Sequence, residues 1–243
     1  MWVLALGAGA VALAFAGVLA RQWLFHRRPH QAVWAVAMLM YAAASLALFL
    51  GLLDGWSAGE FKVYWLFGAI LNVPCLLLGE LYLLVRRRVI VDGLLVALLF
   101  LTAFAVSRVR TATIVGSLST DLPLGKDVFG DGSVPHRLAQ YYAYPAYVLL
   151  VAACGWSAWR MRGRPELRDR FGGTLLIAVG ATIVAIGSGV GAGLEVVPVL
   201  SVGLLAGVAV MFWGFLRASG SGARSGGGAE PSAGRPWPFR RRA

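Results

Sequence analysis

Glu80 is the residue in this chain best suited to chemistry. It stands inside an apolar run, where a carboxylate is costly and often functional. Arg86 follows six residues later, about 9 Å along a helix at roughly 1.5 Å per residue. A long arginine side chain can cross that gap, so a structural ion pair is expected, with a proton or cation site as the functional alternative. Asp92 follows Arg88 by four residues and reads as a helical ion pair near the same surface. Glu195, at the start of the last apolar run, could receive Lys62, Arg108 or Arg110, although a solvated helix terminus is the simpler account.

Asn72 and Cys75 belong with Glu80 among the ligand candidates. On a helical wheel Trp65, Gly68, Asn72, Cys75 and Gly79 share one face, a small and polar stripe that should point into a bundle. An unpaired amide in lipid is expensive, so Asn72 should bond either to a neighbouring helix or to a ligand. Tyr141, Tyr142, Tyr144 and Tyr147 open one apolar segment in the manner of an interfacial aromatic belt. Tyr144 and Tyr147, together with Tyr41, are alternative candidates for lining a cavity.

Several chemistries are disfavoured. His26, His30 and His136 all fall in connecting segments, so no histidine is placed to ligate haem or a buried metal. The last apolar run lacks a lysine for a retinal Schiff base, and no His or Lys stands ready to activate a buried serine. Cys75 and Cys154 lie at different depths and form no Cys-x-x-Cys, which argues against a disulfide or a metal site. No cofactor and no catalytic residue is expected.

The elements that must position these residues are membrane helices. With 59% hydrophobic residues and a mean hydropathy of +0.74, the composition fits a chain dissolved in lipid. Seven apolar stretches approach the roughly 20 residues needed to cross a bilayer. They are Trp2 to Ala20, Ala32 to Leu53, Val63 to Val85, Val89 to Val106, Tyr142 to Trp159, Gly173 to Ala192 and Val196 to Leu216. Continuous apolar runs favour helices over a barrel. Pro74 and Pro145 interrupt two of them and predict kinks.

A net charge of +11 would suggest nucleic acid in a soluble protein, but the arginines are sorted by side. Alternate connections and the tail hold 17 basic residues, whereas the opposite side holds Lys62, Arg108, Arg110, Lys126 and Arg137. Basic residues stay cytoplasmic, which places Met1 outside and the C-terminus inside. Ala14-Phe15-Ala16 resembles a signal-peptidase site, yet no basic region precedes the run, and cleavage would leave Arg21, Arg27 and Arg28 outside. Retention of the first helix is therefore expected.

The expected architecture is an all-α, seven-transmembrane bundle over 1–217, with an outer loop at about 107–141 and a disordered basic tail at 218–243. In the loop, Leu122, Leu124, Val128 and Phe129 could cap the bundle mouth as a partly ordered lid, with a floppy connector as the alternative. Gly187, Gly189, Gly191 and Gly193 are spaced for close helix packing or a tight hairpin. In the tail, Arg240, Arg241 and Arg242 beside Trp237 and Phe239 have a composition suited to anionic lipid headgroups, with a solubilising terminus of ordinary positive-inside charge as the simpler alternative.

Ala32-Val-Trp34, the run from Phe61 to Gly68 leading into Asn72-Val-Pro74, and the arginines at 86–88 resemble an uncharacterised family of actinobacterial seven-helix membrane proteins. More loosely, the chain is similar to the seven-transmembrane sensor region of bacterial histidine kinases, without an output domain after the last helix. The receptor-like topology, the polar face of the third apolar run and the missing catalytic set lead to the expectation of a non-enzymatic, sensor-like protein or accessory subunit of the bacterial plasma membrane. Its partners would be the lipid bilayer, a small ligand and a separate membrane-protein or signalling partner, with no nucleic acid. A carrier of a small or lipophilic substrate, or a membrane enzyme acting on lipid, are the alternative expectations.

Overall fold

A computed structural model describes residues 2–118, 123–162, 168–193 and 196–224. Among them are helices and no strand: α1 Trp2–His26, α2 Pro29–Asp54, α3 Ala58–Tyr64, a π-helical stretch Trp65–Leu71, and α4 Asn72–Leu84. Then come α5 Arg88–Thr111, the short α6 Gly125–Phe129, α7 Val134–Met161, α8 Arg168–Gly193 and α9 Val197–Arg224. α3, the π stretch and α4 run on as one rod, Ala58–Leu84.

Six helices are long and apolar enough to cross a membrane: α1, α2, the Ala58–Leu84 rod, α5, α8 and α9. They point to a multi-pass membrane protein. α7 is 28 residues long but is not among the six. Its four tyrosines and two tryptophans dilute the apolar run.

Local chemistry explains the element boundaries. Pro29 starts α2 at a position where its missing N–H costs nothing. Ser57 and Glu60 form a reciprocal cap on α3, with Glu60 N–H donating to Ser57 Oγ at 3.2 Å and Ser57 N–H to Glu60 Oε2 at 2.9 Å. Pro74 lacks an N–H and crowds the preceding turn, and the backbone there widens into the π-helical stretch. α7 begins at Val134, earlier than Tyr142, because Pro135 is tolerated in its first turn. α9 continues to Arg224, past the expected boundary at 217, and the residues after it, including Arg240, Arg241 and Arg242, lie outside those described.

The helices form a closed ring in the order α1, α2, α4, α7, α8, α9 and back to α1. The α8 and α9 pair is the most extensive contact and rests on glycines. A Cβ on Gly180 would lie 2.6 Å from Gly207 O, one on Gly187 2.7 Å from Gly203 Cα, and one on Gly214 2.8 Å from Gly173 O. Gly187 thus packs as the sequence spacing suggested, whereas Gly189 faces open space.

α5 stands outside this ring against α4, α7 and the π stretch. It turns inward a narrow stripe of Val91, Leu95, Leu98, Thr102, Ala105 and Val109, alternating by four and three residues, and leaves the rest of its surface exposed.

The core has two layers. One, at the arginine-rich end, joins Phe15, Leu19, Trp34, Met38, Leu76, Leu150 and Phe215. The other lies beneath the 112–133 connection and joins Phe61, Leu66, Ile70, Val109, Val128 and Phe129. That connection is a lid over its described length. Phe129 packs on Phe61 and Trp65 with ring centroids 5.4 and 6.1 Å apart, and Val115 N–H donates to Val128 O at 2.9 Å. Leu124 is half-buried, and Leu122 lies outside the described residues.

Candidate functional site: a central cavity at Glu80

In the arginine-side layer a cavity of about 10 Å³, room for a single water, lies between all six ring helices. α1 contributes Phe15; α2, Trp34 and Met38; α4, Leu76 and Glu80; α7, Leu150; α8, Ile177; and α9, Met211. Glu80 is the one ionisable residue beside it and is only 2% exposed, and the surface turned to the cavity is apolar throughout. Cys154, one turn from Leu150 on α7, is within electrostatic reach of it.

The expected ion pair between Glu80 and Arg86 does not form. Arg86 is exposed beyond the end of α4, whereas Glu80 turns into the ring, and among the described residues no hydrogen bond or ion pair reaches it. Spacing along the helix allowed the pair, but the two side chains leave in different directions. Asp92 also departs from expectation. It accepts a 2.8 Å hydrogen bond from Tyr82 Oη across the α4–α5 turn, and it forms no ion pair with Arg88.

Four of the five stripe residues form a seam against α2 and do not line the cavity, while Trp65 packs against α6 and α7. Gly68 abuts Ala44, Asn72 Nδ2 donates to Ala37 O at 2.7 Å, Cys75 Sγ lies 3.9 Å from Met40 Sδ, and Gly79 receives the Trp34 ring. Asn72 therefore has an interhelical partner, the first of the two roles foreseen for it. Both cysteines are free and buried.

The three tyrosines are not brought together. Tyr41 is buried and donates to Leu204 O on α9 at 2.8 Å, and Tyr147 donates to Thr182 Oγ1 on α8 at 3.2 Å. Tyr144 is 68% exposed, as an aromatic belt requires. Glu195 lies outside the described residues; Lys62 Nζ donates to Arg110 O at 3.0 Å.

The apolar lining escaped sequence reasoning. Phe15, Met38, Leu150, Ile177 and Met211 are ordinary membrane-helix residues, and only the ring closure makes them neighbours of one carboxyl. Trp34 had one usable signal, since a buried indole N–H needs an acceptor, and it finds Leu76 O at 3.1 Å.

In comparison with known proteins the chain matches no family model, no curated protein and no solved structure.

Proposed function

We propose that this chain is a non-enzymatic, sensor-like protein of the bacterial plasma membrane that binds a small ligand at Glu80. The observation that carries the reading is the buried Glu80 beside a cavity to which every ring helix contributes. A group bound there touches six helices at once, so occupancy acts on the packing of the whole ring. Such coupling requires only that the ligand prefer one arrangement of the ring over another. A lone carboxyl among apolar walls provides a binding contact rather than a set of catalytic groups. The signal would pass to a separate membrane-protein partner.

In this reading α7 is the seventh crossing, since it packs between α4 and α8 over a length that spans the bilayer. The arginine sorting supports an outer N-terminus and a cytoplasmic C-terminus. With Gly59→Cys and Arg162→Cys, a membrane-impermeant maleimide applied to intact cells should label only the first. Labelling of the second alone would reverse the orientation.

The ligand reading is tested by native mass spectrometry of the protein extracted gently from its own membrane. A small mass retained by the wild type and lost from Glu80→Gln is the expected result. Retention unchanged in the variant would remove Glu80 from the site. Ligand flux across reconstituted vesicles, abolished by the same substitution, would replace the sensor with a carrier.

A further inference from the structure

Near the lid α5 and α7 touch, and toward the arginine-rich end they part. At the lid end Tyr142 Oη donates to Leu101 O at 3.3 Å, and Leu138, one turn away on the same side of α7, is buried. Leu149 and Trp156 follow Tyr142 by two and four turns and occupy that same side, yet both are more than half exposed. On α5, Leu94 and Ile90 continue the face of Leu101 toward the arginines and are exposed as well. Pro145, a position at which helices bend, stands just past Tyr142 where the parting begins. The result is an apolar wedge between the two helices, closed at the lid end and open at the other.

The mouth of the wedge is basic. Arg86 and Arg87 lead into α5 on one side, Arg160 ends α7 on the other, and all three are exposed. Glu80 and Cys154 lie in one layer, and Arg86 and Arg160 each follow by six residues, so both arginines reach a similar depth, roughly 9 Å further on. Among the described residues neither guanidinium has a hydrogen bond or an ion pair. Trp156 and Trp159, edge to face at 5.7 Å, stand within about a turn of Arg160, as indoles do at a headgroup layer.

We propose that this wedge binds one anionic diacyl phospholipid, with its phosphate on Arg86 and Arg160 and one acyl chain between Leu94 and Leu149. The open part runs from Leu149 to Arg160, about 16 Å at 1.5 Å per residue, which is half of a hydrocarbon core of roughly 30 Å. That is the depth of one leaflet. A transmembrane helix of a second copy needs a groove along the whole span, and this one closes at Tyr142. A free phosphate would match the arginines without using the slot, and a zwitterionic lipid would bring its own cation to them. Arginine sorting by itself charges one face of the membrane; the slot beneath the guanidinium groups makes a site of that charge.

The test is lipid binding to the full chain in mild detergent, read by native mass spectrometry with phosphatidylglycerol and phosphatidylcholine of identical chains. Wild type should retain phosphatidylglycerol more than about fivefold better than phosphatidylcholine. Arg86→Gln with Arg160→Gln should weaken phosphatidylglycerol binding about 25-fold, at about fivefold for each arginine. Arg21→Gln with Arg28→Gln removes equal charge from α1 and the start of α2 and should leave binding unchanged. Leu149→Trp fills the slot and should weaken both lipids. Equal retention of the two lipids by wild type, or equal loss in the two arginine pairs, would reduce the site to general surface charge and overturn the proposal. Unaltered binding by Leu149→Trp would remove the acyl chain from the wedge and overturn it too. Displacement of phosphatidylglycerol by inorganic phosphate would assign the arginines to a soluble anion instead. If the double variant at 86 and 160 does not fold, Arg160→Gln alone and Leu149→Trp decide.

Discussion

Gly180→Val should leave little folded protein. The first atom of the new side chain would lie 2.6 Å from Gly207 O and 2.8 Å from Met211 N, both backbone atoms of α9. Rotamer changes cannot relieve such contacts, so α8 and α9 must separate along their most extensive interface. We expect a destabilisation of about 3 kcal/mol, the upper end for overpacking. Recovery of monodisperse protein in mild detergent and its thermal midpoint provide the measurement. Gly155→Ala and Gly189→Ala serve as controls, since a Cβ at either position meets nothing within 4 Å. These two should match the wild type or slightly exceed it, alanine being the better helix former. A normal midpoint for Gly180→Val would show that the α8–α9 approach is looser than described.

The second large effect is expected at the lid. Phe129 is 4% exposed and joins Phe61 and Trp65, while Trp65 Nε1 also donates to Pro135 O at 3.0 Å. Phe129→Ala removes the ring from that layer and should cost about 3 kcal/mol locally. α6 is only five residues long and cannot hold its shape without this packing. The lid should therefore open while the ring persists. Limited proteolysis reads this directly: cleavage within 112–133 should become at least tenfold faster, with cleavage elsewhere unchanged. Accelerated cutting throughout the chain would mean that the lid layer supports the entire fold, and unchanged cutting would mean that Phe129 does not anchor it.

The part of the candidate site legible in advance was its charge. Glu80 stands out because a carboxylate within an apolar run is conspicuous from composition alone. The arginines after α4 suggested a partner for it, and that suggestion failed on direction. Asn72 was legible as a polar group needing a partner, and Ala37 O supplies one across the helix pair. The glycines at 173, 180 and 187, seven residues apart, mark the α8–α9 seam in the sequence, and of the denser run from Gly187 to Gly193 only Gly187 is seen to meet α9 among the described contacts.

The apolar helices follow from the sequence by itself, because hydropathy over about 20 residues is a local sum that needs no knowledge of neighbours. The same holds for the sorting of arginine, for the Ser57–Glu60 cap and for the π-helical widening before Pro74, each set within a few residues of chain. Tertiary structure decided what surrounds Glu80, placed α5 outside the ring, and turned the 112–133 connection into a lid. These depend on which face of each helix meets which neighbour. In a helix that is apolar all around, no amphipathic stripe marks the inward face, so close packing of shapes chooses it.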